Sequence, residues 1–138
     1  MSAAAHTASD AVRKGVAAAL IDDSGLAQTL GGPKVFDHPP DRLRPPYIVI
    51  GRTVASDWST SGDEGEAVVL FLHVWTKGEQ RDRNHAAQAD VRRALTTEPE
   101  LDGHHLVALR HELSETRRDP STGHVHAVMR FRAVTEAL

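Results

Sequence analysis

Apolar residues recur at helical spacing in three stretches of the chain. A helix is expected over about 9–20, followed by a short helical turn near 26–30. A longer helix is expected over about 78–97. Its apolar stripe consists of Ala87, Val91, Ala94 and Leu95. A single stripe of this kind predicts that the helix packs on one face of a sheet.

The other apolar segments follow the pattern of strands. Residues 47–50 and 67–75 are rich in β-branched and aromatic side chains, and the second segment is apolar on both faces, so it is expected to be a central strand. The C-terminal quarter predicts a hairpin, because residues 119–123 have turn chemistry between two alternating arms. Same-parity apolar positions on these arms are Val107, Leu109 and Leu113, then Val125, Ala127, Met129, Phe131 and Ala133.

The order of these elements is helix, two strands, helix, two strands. Strands grouped in hairpins around a helix favour an antiparallel sheet over a parallel one. The sequence therefore predicts an α+β fold, with a mainly antiparallel four-stranded sheet, a long helix packed on one face and an N-terminal helix.

Three segments have compositions that argue against regular structure. Residues 1–8 are small and polar, so they are expected to be flexible. Residues 33–46 contain five of the seven prolines, which predicts a connector through which regular structure does not run. Residues 55–65 predict a hairpin loop or an extended arm, longer than the roughly two to five residues of most hairpin connections. The whole length, 1–138, fits one domain.

Composition narrows the class of protein. With 40% apolar and 25% charged residues and a net charge of -3, the chain is typical of a soluble globular protein. The absence of cysteine removes disulfides, thiolate nucleophiles and cysteine-ligated zinc. No membrane partner is expected, because the longest apolar run, 67–72, is too short to span a bilayer. The N-terminus lacks the features of a signal peptide, so secretion by that route is not expected.

The sequence lacks the common catalytic motifs. The sequence contains no nucleophile elbow, P-loop, paired-histidine zinc motif or dinucleotide fingerprint. Asp57 and Ser59 flank Trp58 and could be imagined as a nucleophile and its helper, but a polar hairpin tip has the same composition. No catalytic, cofactor-binding or metal-binding residue is assigned on this basis.

The nine histidines leave one alternative open. His124 and His126 would point to one face of a strand, as a metal site requires. If Arg118 pairs with His124, however, His126 lies opposite Thr116 and His111 lies opposite Phe131 on the apolar side, so no third ligand is nearby. A metal-dependent or other small enzyme using this His-rich hairpin remains an alternative, as does a small regulatory binding module.

Arginines cluster on the same hairpin, and they permit a local positive face. They are Arg110, Arg117, Arg118, Arg130 and Arg132. Aromatic side chains are not interleaved with them, so a surface that stacks nucleic-acid bases is not expected.

A series of ordered segments resembles the tail-completion family of long-tailed bacteriophages, and in particular the tail terminators of gene transfer agents. The resemblance runs from about Ser9 to Leu138 and begins with the Ala-rich first helix. The other segments are 30–37, 45–51, 57–60, 72–75, 104–107, 117–120 and 124–133.

The resemblance implies a structural virion protein with no enzymatic activity and no cofactor. Such proteins form a six-fold ring that caps the head-proximal end of the tail tube, stops tube polymerisation and joins the tail to the head. The implied partners are further copies of the chain, the major tail tube protein and the head-side connector or stopper. DNA would pass through the lumen without specific binding, and assembly into the particle would take place in the bacterial cytoplasm.

Two segments are the candidate contacts with a neighbouring subunit or the tail tube. One is the arm, through Asp57, Trp58 and Ser59; the other is the terminal turn, through Arg117, Arg118 and Asp119. A Trp in an otherwise small and polar loop is either a plug on its own core or a partner-facing anchor.

Overall fold

The computed structural model describes residues 7–138, which form three helices and five strands. The helices are α1 (Ala8–Ile21), α2 (Ser24–Leu30) and α3 (Arg81–Ala94). The strands are β1 (Val35–Phe36), β2 (Tyr47–Asp57), β3 (Gly65–Thr76), β4 (His104–Arg118) and β5 (Val125–Ala137). No helix in the described part of the chain is long and apolar enough to cross a bilayer.

The first helix begins where a cap is available. The Thr7 hydroxyl accepts a hydrogen bond from the Asp10 backbone N–H at 3.1 Å, and Ala8 is already buried in the first turn. Residues 1–6 of the segment expected to be flexible lie outside the described residues.

The sheet has the order β1-β2-β3-β5-β4, and its pairs are antiparallel except for β1 with β2. The predicted mixed α+β fold and the central position of β3 are confirmed. The predicted count of four strands is wrong, because β1 forms inside the Pro-rich connector. Residues 34–36 contain no proline, and the Ile48 N–H donates to the Lys34 carbonyl at 2.9 Å, which starts a short parallel pair.

The helices cover one face of the sheet. Contacts link α1 to β2 and β3, and α3 to β3 and β5, while α2 packs on α3 and α1. In α3 the predicted stripe is confirmed, since Ala87, Val91 and Leu95 are buried. The helix is shorter than the expected 78–97, because residues 77–80 form a turn, and at 14 residues it is no longer than α1.

Two β-bulges reverse the faces of β4. They lie between Leu106 and Ala108 and between His111 and Leu113. Each bulge adds a residue and so exchanges the faces of the side chains that follow it. The alternation in the sequence placed Val107 and Leu113 on the same face as Leu109. In the structure Val107 is 40% exposed and Leu113 is 49% exposed, whereas Leu106 is buried.

Buried polar side chains interrupt the apolar stripe of α3. The Asn84 side-chain amide donates to the carbonyls of Val74 (3.1 Å) and Val125 (3.3 Å), at the ends of the two central strands. Its oxygen accepts from the Gln88 amide at 2.8 Å, and Gln88 also donates to the Thr116 hydroxyl at 3.0 Å. This chain of hydrogen bonds fixes α3 over β3, β5 and β4.

Replacement of Asn84 by Ala is expected to destabilise the fold by about 3 kcal/mol, because it removes the donor to two backbone carbonyls and one of the two hydrogen bonds of the buried Gln88 amide. Urea denaturation followed by circular dichroism measures the change. His85→Ala, at an exposed position of the same helix, is the control and is expected to change stability by less than about 0.5 kcal/mol. Equal stability of the two variants would contradict this role.

Candidate functional site

The arm is the far end of the β2–β3 hairpin. Pairing continues to Asp57 opposite Glu66, so the predicted segment 55–65 consists of strand ends and a tip at 58–64. The Trp58 N–H donates to the Gly65 carbonyl at 2.9 Å, and Asp57 accepts from the Ser59 hydroxyl at 2.6 Å. The arm is thus an ordered projection held by its own hydrogen bonds.

Trp58 lies at the base of the tip and is 41% exposed. One edge of its ring lies close to Gly65, where an added Cβ would come within 3.2 Å of the indole. The ring also borders a cleft of about 440 Å³ that includes Val107, Arg132 and Val134. The indole is therefore partly packed on its own hairpin and partly open to a partner.

The sheet face opposite the helices, here called the open face, carries aromatic and basic side chains. The Arg52 guanidinium lies 4.6 Å from the centre of the Phe71 ring. Arg130 lies opposite Phe71 across the β3–β5 pair, and its Nε is 3.2 Å from a Glu112 carboxylate oxygen. Arg132 is on the same face, opposite Val69.

Three aromatic side chains lie together on the open face near the ends of β3 and β5. The Trp75 and His126 rings stack, with centres 3.9 Å apart and planes within 2° of parallel. His73 meets the edge of the His126 ring, with its Nδ1 2.9 Å from His126 Nε2 and the ring centres 5.1 Å apart. Sequence reasoning named His126 and missed His73, because the partner comes from a strand 53 residues earlier.

Burial is the main cause that lowers the pKa of both His73 and His126. The charges of His73 and Arg117 lower the pKa of His126 further, while the carboxylates of Asp119 and Glu115 oppose this effect. Both rings are therefore held in the neutral form to a lower pH than an exposed histidine.

The predicted pairing of the terminal hairpin is confirmed at His111, before the second bulge of β4, and is wrong between that bulge and the turn. His111 lies opposite Phe131, with the rings edge to face at 5.3 Å. His126 lies opposite Arg117 instead of Thr116, because the bulge after His111 shifts the register by one residue. Across residues 7–138, no three His, Asp or Glu side chains are grouped closely enough to hold a metal ion.

The terminal turn lies at the opposite end of the sheet from the arm. Arg118 donates to the carbonyls of Gly78 (3.1 Å) and Gly123 (2.9 Å), which ties the β3–α3 turn to the β4–β5 turn. Asp119 accepts from the Thr122 and Ser121 hydroxyls, and these hydrogen bonds lower its pKa. The structure thus does not bring the two predicted contact segments together.

The unfolding free energy is expected to fall as the pH decreases below about 6.5, because the unfolded chain then binds more protons than a folded chain with lowered histidine pKa values. His126→Phe keeps the stack on Trp75 and removes one of these titrations, so its thermal midpoint should lose less between pH 7.5 and pH 5.5. His105→Gln, on an exposed histidine, is the control and should follow the wild type. A His126→Phe profile as steep as the wild-type profile would contradict the assignment.

Known proteins share the sequence pattern and the fold of this chain. No curated protein sequence matches the chain. The chain is similar to a chain in a solved structure described as "Virion of native gene transfer agent (GTA) particle", with 27% sequence identity and a TM-score of 0.84. The similarity covers 92% of this chain and 96% of that one. A family model described as "Tail completion protein gp17" matches residues 14–136, and the chain belongs to this family of tail completion proteins.

Proposed function

We propose that the chain is the tail terminator of a phage-like particle. Six copies form a ring that caps the head-proximal end of the tail tube, stops its polymerisation and joins the tail to the head-side connector or stopper. The ring assembles in the bacterial cytoplasm, and DNA passes through its lumen without specific binding. Membership of the family gives the chain a structural role in the virion tail, and the proposal specifies that role.

The similarity to a chain of the gene transfer agent particle supports this proposal most directly. Because it extends over nearly the full length of both chains, the two share the whole domain and not only a common sheet. Membership of a structural tail-completion family also favours a role in assembly over a catalytic one.

Surfaces suited to subunit contacts support the ring. The 15-residue strand β4 forms one edge of the sheet, and among the described residues it pairs with β5 and, at its first residue, with Leu101 through a single bridge. The open face and the adjoining hairpins expose Val54, Trp58, Val107 and Leu113. A closed ring would shield a free edge and exposed apolar side chains from nonspecific association.

The arm supplies one contact in this proposal. Asp57 and Ser59 hold the start of the tip in place, so Trp58 is presented with little loss of conformational freedom on binding. Arg117, Arg118 and Asp119 supply the other contact region, where Arg118 braces two turns and Arg117 lies on the open face. A tryptophan anchor of this kind is common among the residues that dominate interface energy.

Trp58→Ala is expected to leave the subunit folded and to prevent ring formation, since the loss of an indole anchor costs about 2 kcal/mol or more at each contact. Size-exclusion chromatography with light scattering measures the mass, negative-stain imaging shows the rings, and circular dichroism checks the fold. Ile21→Ala, which truncates an exposed apolar side chain on α1, is the matched control and should form rings normally.

Particles assembled with Trp58→Ala should carry tails of uncontrolled length. If the variant instead melts well below the wild type while its folded fraction assembles normally, Trp58 is a plug on its own core and the arm contact is wrong.

A further inference from the structure

The two ends of the sheet carry opposite charge. At the arm end, residues 57–66, 102–105 and 135–138 contain no Lys or Arg. Their acidic residues are Asp57, Asp63, Glu64, Glu66, Asp102 and Glu136. The C-terminus of β5 and the N-terminus of β4 lie beside the arm there, since a cleft is shared by Glu64, Glu66, His104 and Ala137.

The opposite end is predominantly basic. Residues 42–47, 77–83 and 117–124 contain three acidic residues, and Asp119 is engaged within its own turn. The basic residues of these segments are Arg42, Arg44, Lys77, Arg81, Arg83, Arg117 and Arg118. Burial, followed by the positive charges of Arg83 and Lys77, lowers the pKa of nearby Lys34, which shows that the cations converge.

Distance prevents these charges from neutralising one another within one copy. Strand β5 runs between the two ends and has 13 residues, so the ends are about 40 Å apart at about 3.3 Å per residue. This is several times the Debye length of about 8 Å at physiological ionic strength. Each end is therefore available to attract an oppositely charged partner surface.

The basic end contains a formed cleft of about 510 Å³. Its walls are the connector, through Leu43, Arg44 and Pro45, and the β3–α3 and β4–β5 turns, through Lys77, Gly78, Glu79 and Gly123. The two cations Arg44 and Lys77 outnumber the single carboxylate of Glu79. The Arg118 hydrogen bonds to Gly78 and Gly123 brace two of these walls. The turns meet so closely that a Cβ on Gly78 would lie 2.7 Å from the Gly123 carbonyl oxygen, so the cleft has a fixed shape.

The chemistry of this cleft matches that of the arm. Leu43 is half-buried and offers apolar surface for an indole, and Arg44 and Lys77 are exposed cations in the same cleft. The tip of the arm carries Trp58 at its base and the carboxylates of Asp63 and Glu64 further along. A tip that combines an aromatic ring with acidic groups gains both apolar burial and favourable electrostatics on such a surface.

We propose that the arm of one copy docks in the basic cleft of a second copy. Trp58 packs on Leu43 of the second copy, and the acidic tip faces Arg44 and Lys77. The contact is head-to-tail, because the arm and the cleft are different surfaces, and repetition of such a contact closes a ring when the rotation permits. This inference rests on the proposed ring and adds the identity of the two surfaces that meet.

Charge reversal on each surface tests the pairing. D63K/E64K gives a copy with a basic arm and a basic cleft, and R44E/K77E gives a copy with an acidic arm and an acidic cleft. Each variant alone is expected to stay monomeric by light scattering, whereas a 1:1 mixture should recover the hexamer mass with the two variants alternating. D22K/E98K, which makes the same change of charge as D63K/E64K at exposed positions on the helical side, is the control for that variant and should form rings alone.

Several results would overturn the contact. They are ring formation by either reversed variant alone, failure of the mixture to assemble when both variants have wild-type circular dichroism, and a wild-type chain that does not self-associate at any attainable concentration. Reversed variants that form rings but no longer stop tube growth would show that the arm binds the tail tube protein instead. Tail length in assembled particles, measured by electron microscopy, tests the proposed function separately.

Discussion

The arrangement of the molecule depends on a sheet that is covered by helices on one face only. All three helices pack into one core with the inward side chains of β2, β3 and β5. The other face has no helical layer in residues 7–138, so its side chains must cover one another. The Trp75–His126 stack, the His73 ring beside it and the Arg52–Phe71 pair do this in part, and the apolar side chains left exposed are available to a partner.

Polar groups buried in the core determine how the helical layer is positioned. Apolar burial is not directional and would permit α3 to slide over the sheet. The Asn84 and Gln88 hydrogen bonds are directional, and they fix α3 to the ends of two central strands and to the polar half of β4. The turns at that end of the sheet are thereby held in place, and Arg118 then joins them into the walls of the basic cleft.

A role in assembly fits a molecule of this shape. The chain belongs to a family of tail completion proteins and is similar to a virion chain over nearly its full length. The arm and the basic cleft lie at opposite ends of strands about 40 Å long, so in the proposed ring each subunit has one surface for each of two neighbours.

The features that depend on local periodicity follow from the sequence. These are the three helices, the central strand β3, the turn at 119–123 and the β2–β3 hairpin around Trp58; the resemblance to tail-completion proteins follows from the sequence as well. The tertiary structure sets which strands become neighbours, and therefore the short β1 pair, the His73–His126 contact and the partners of Asn84. It also decided the faces of Val107 and Leu113, because the two bulges in β4 arise from pairing with β5. The physical reason is that periodicity records which side of an element is apolar, whereas register and bulges are set by hydrogen bonds to residues distant in the chain.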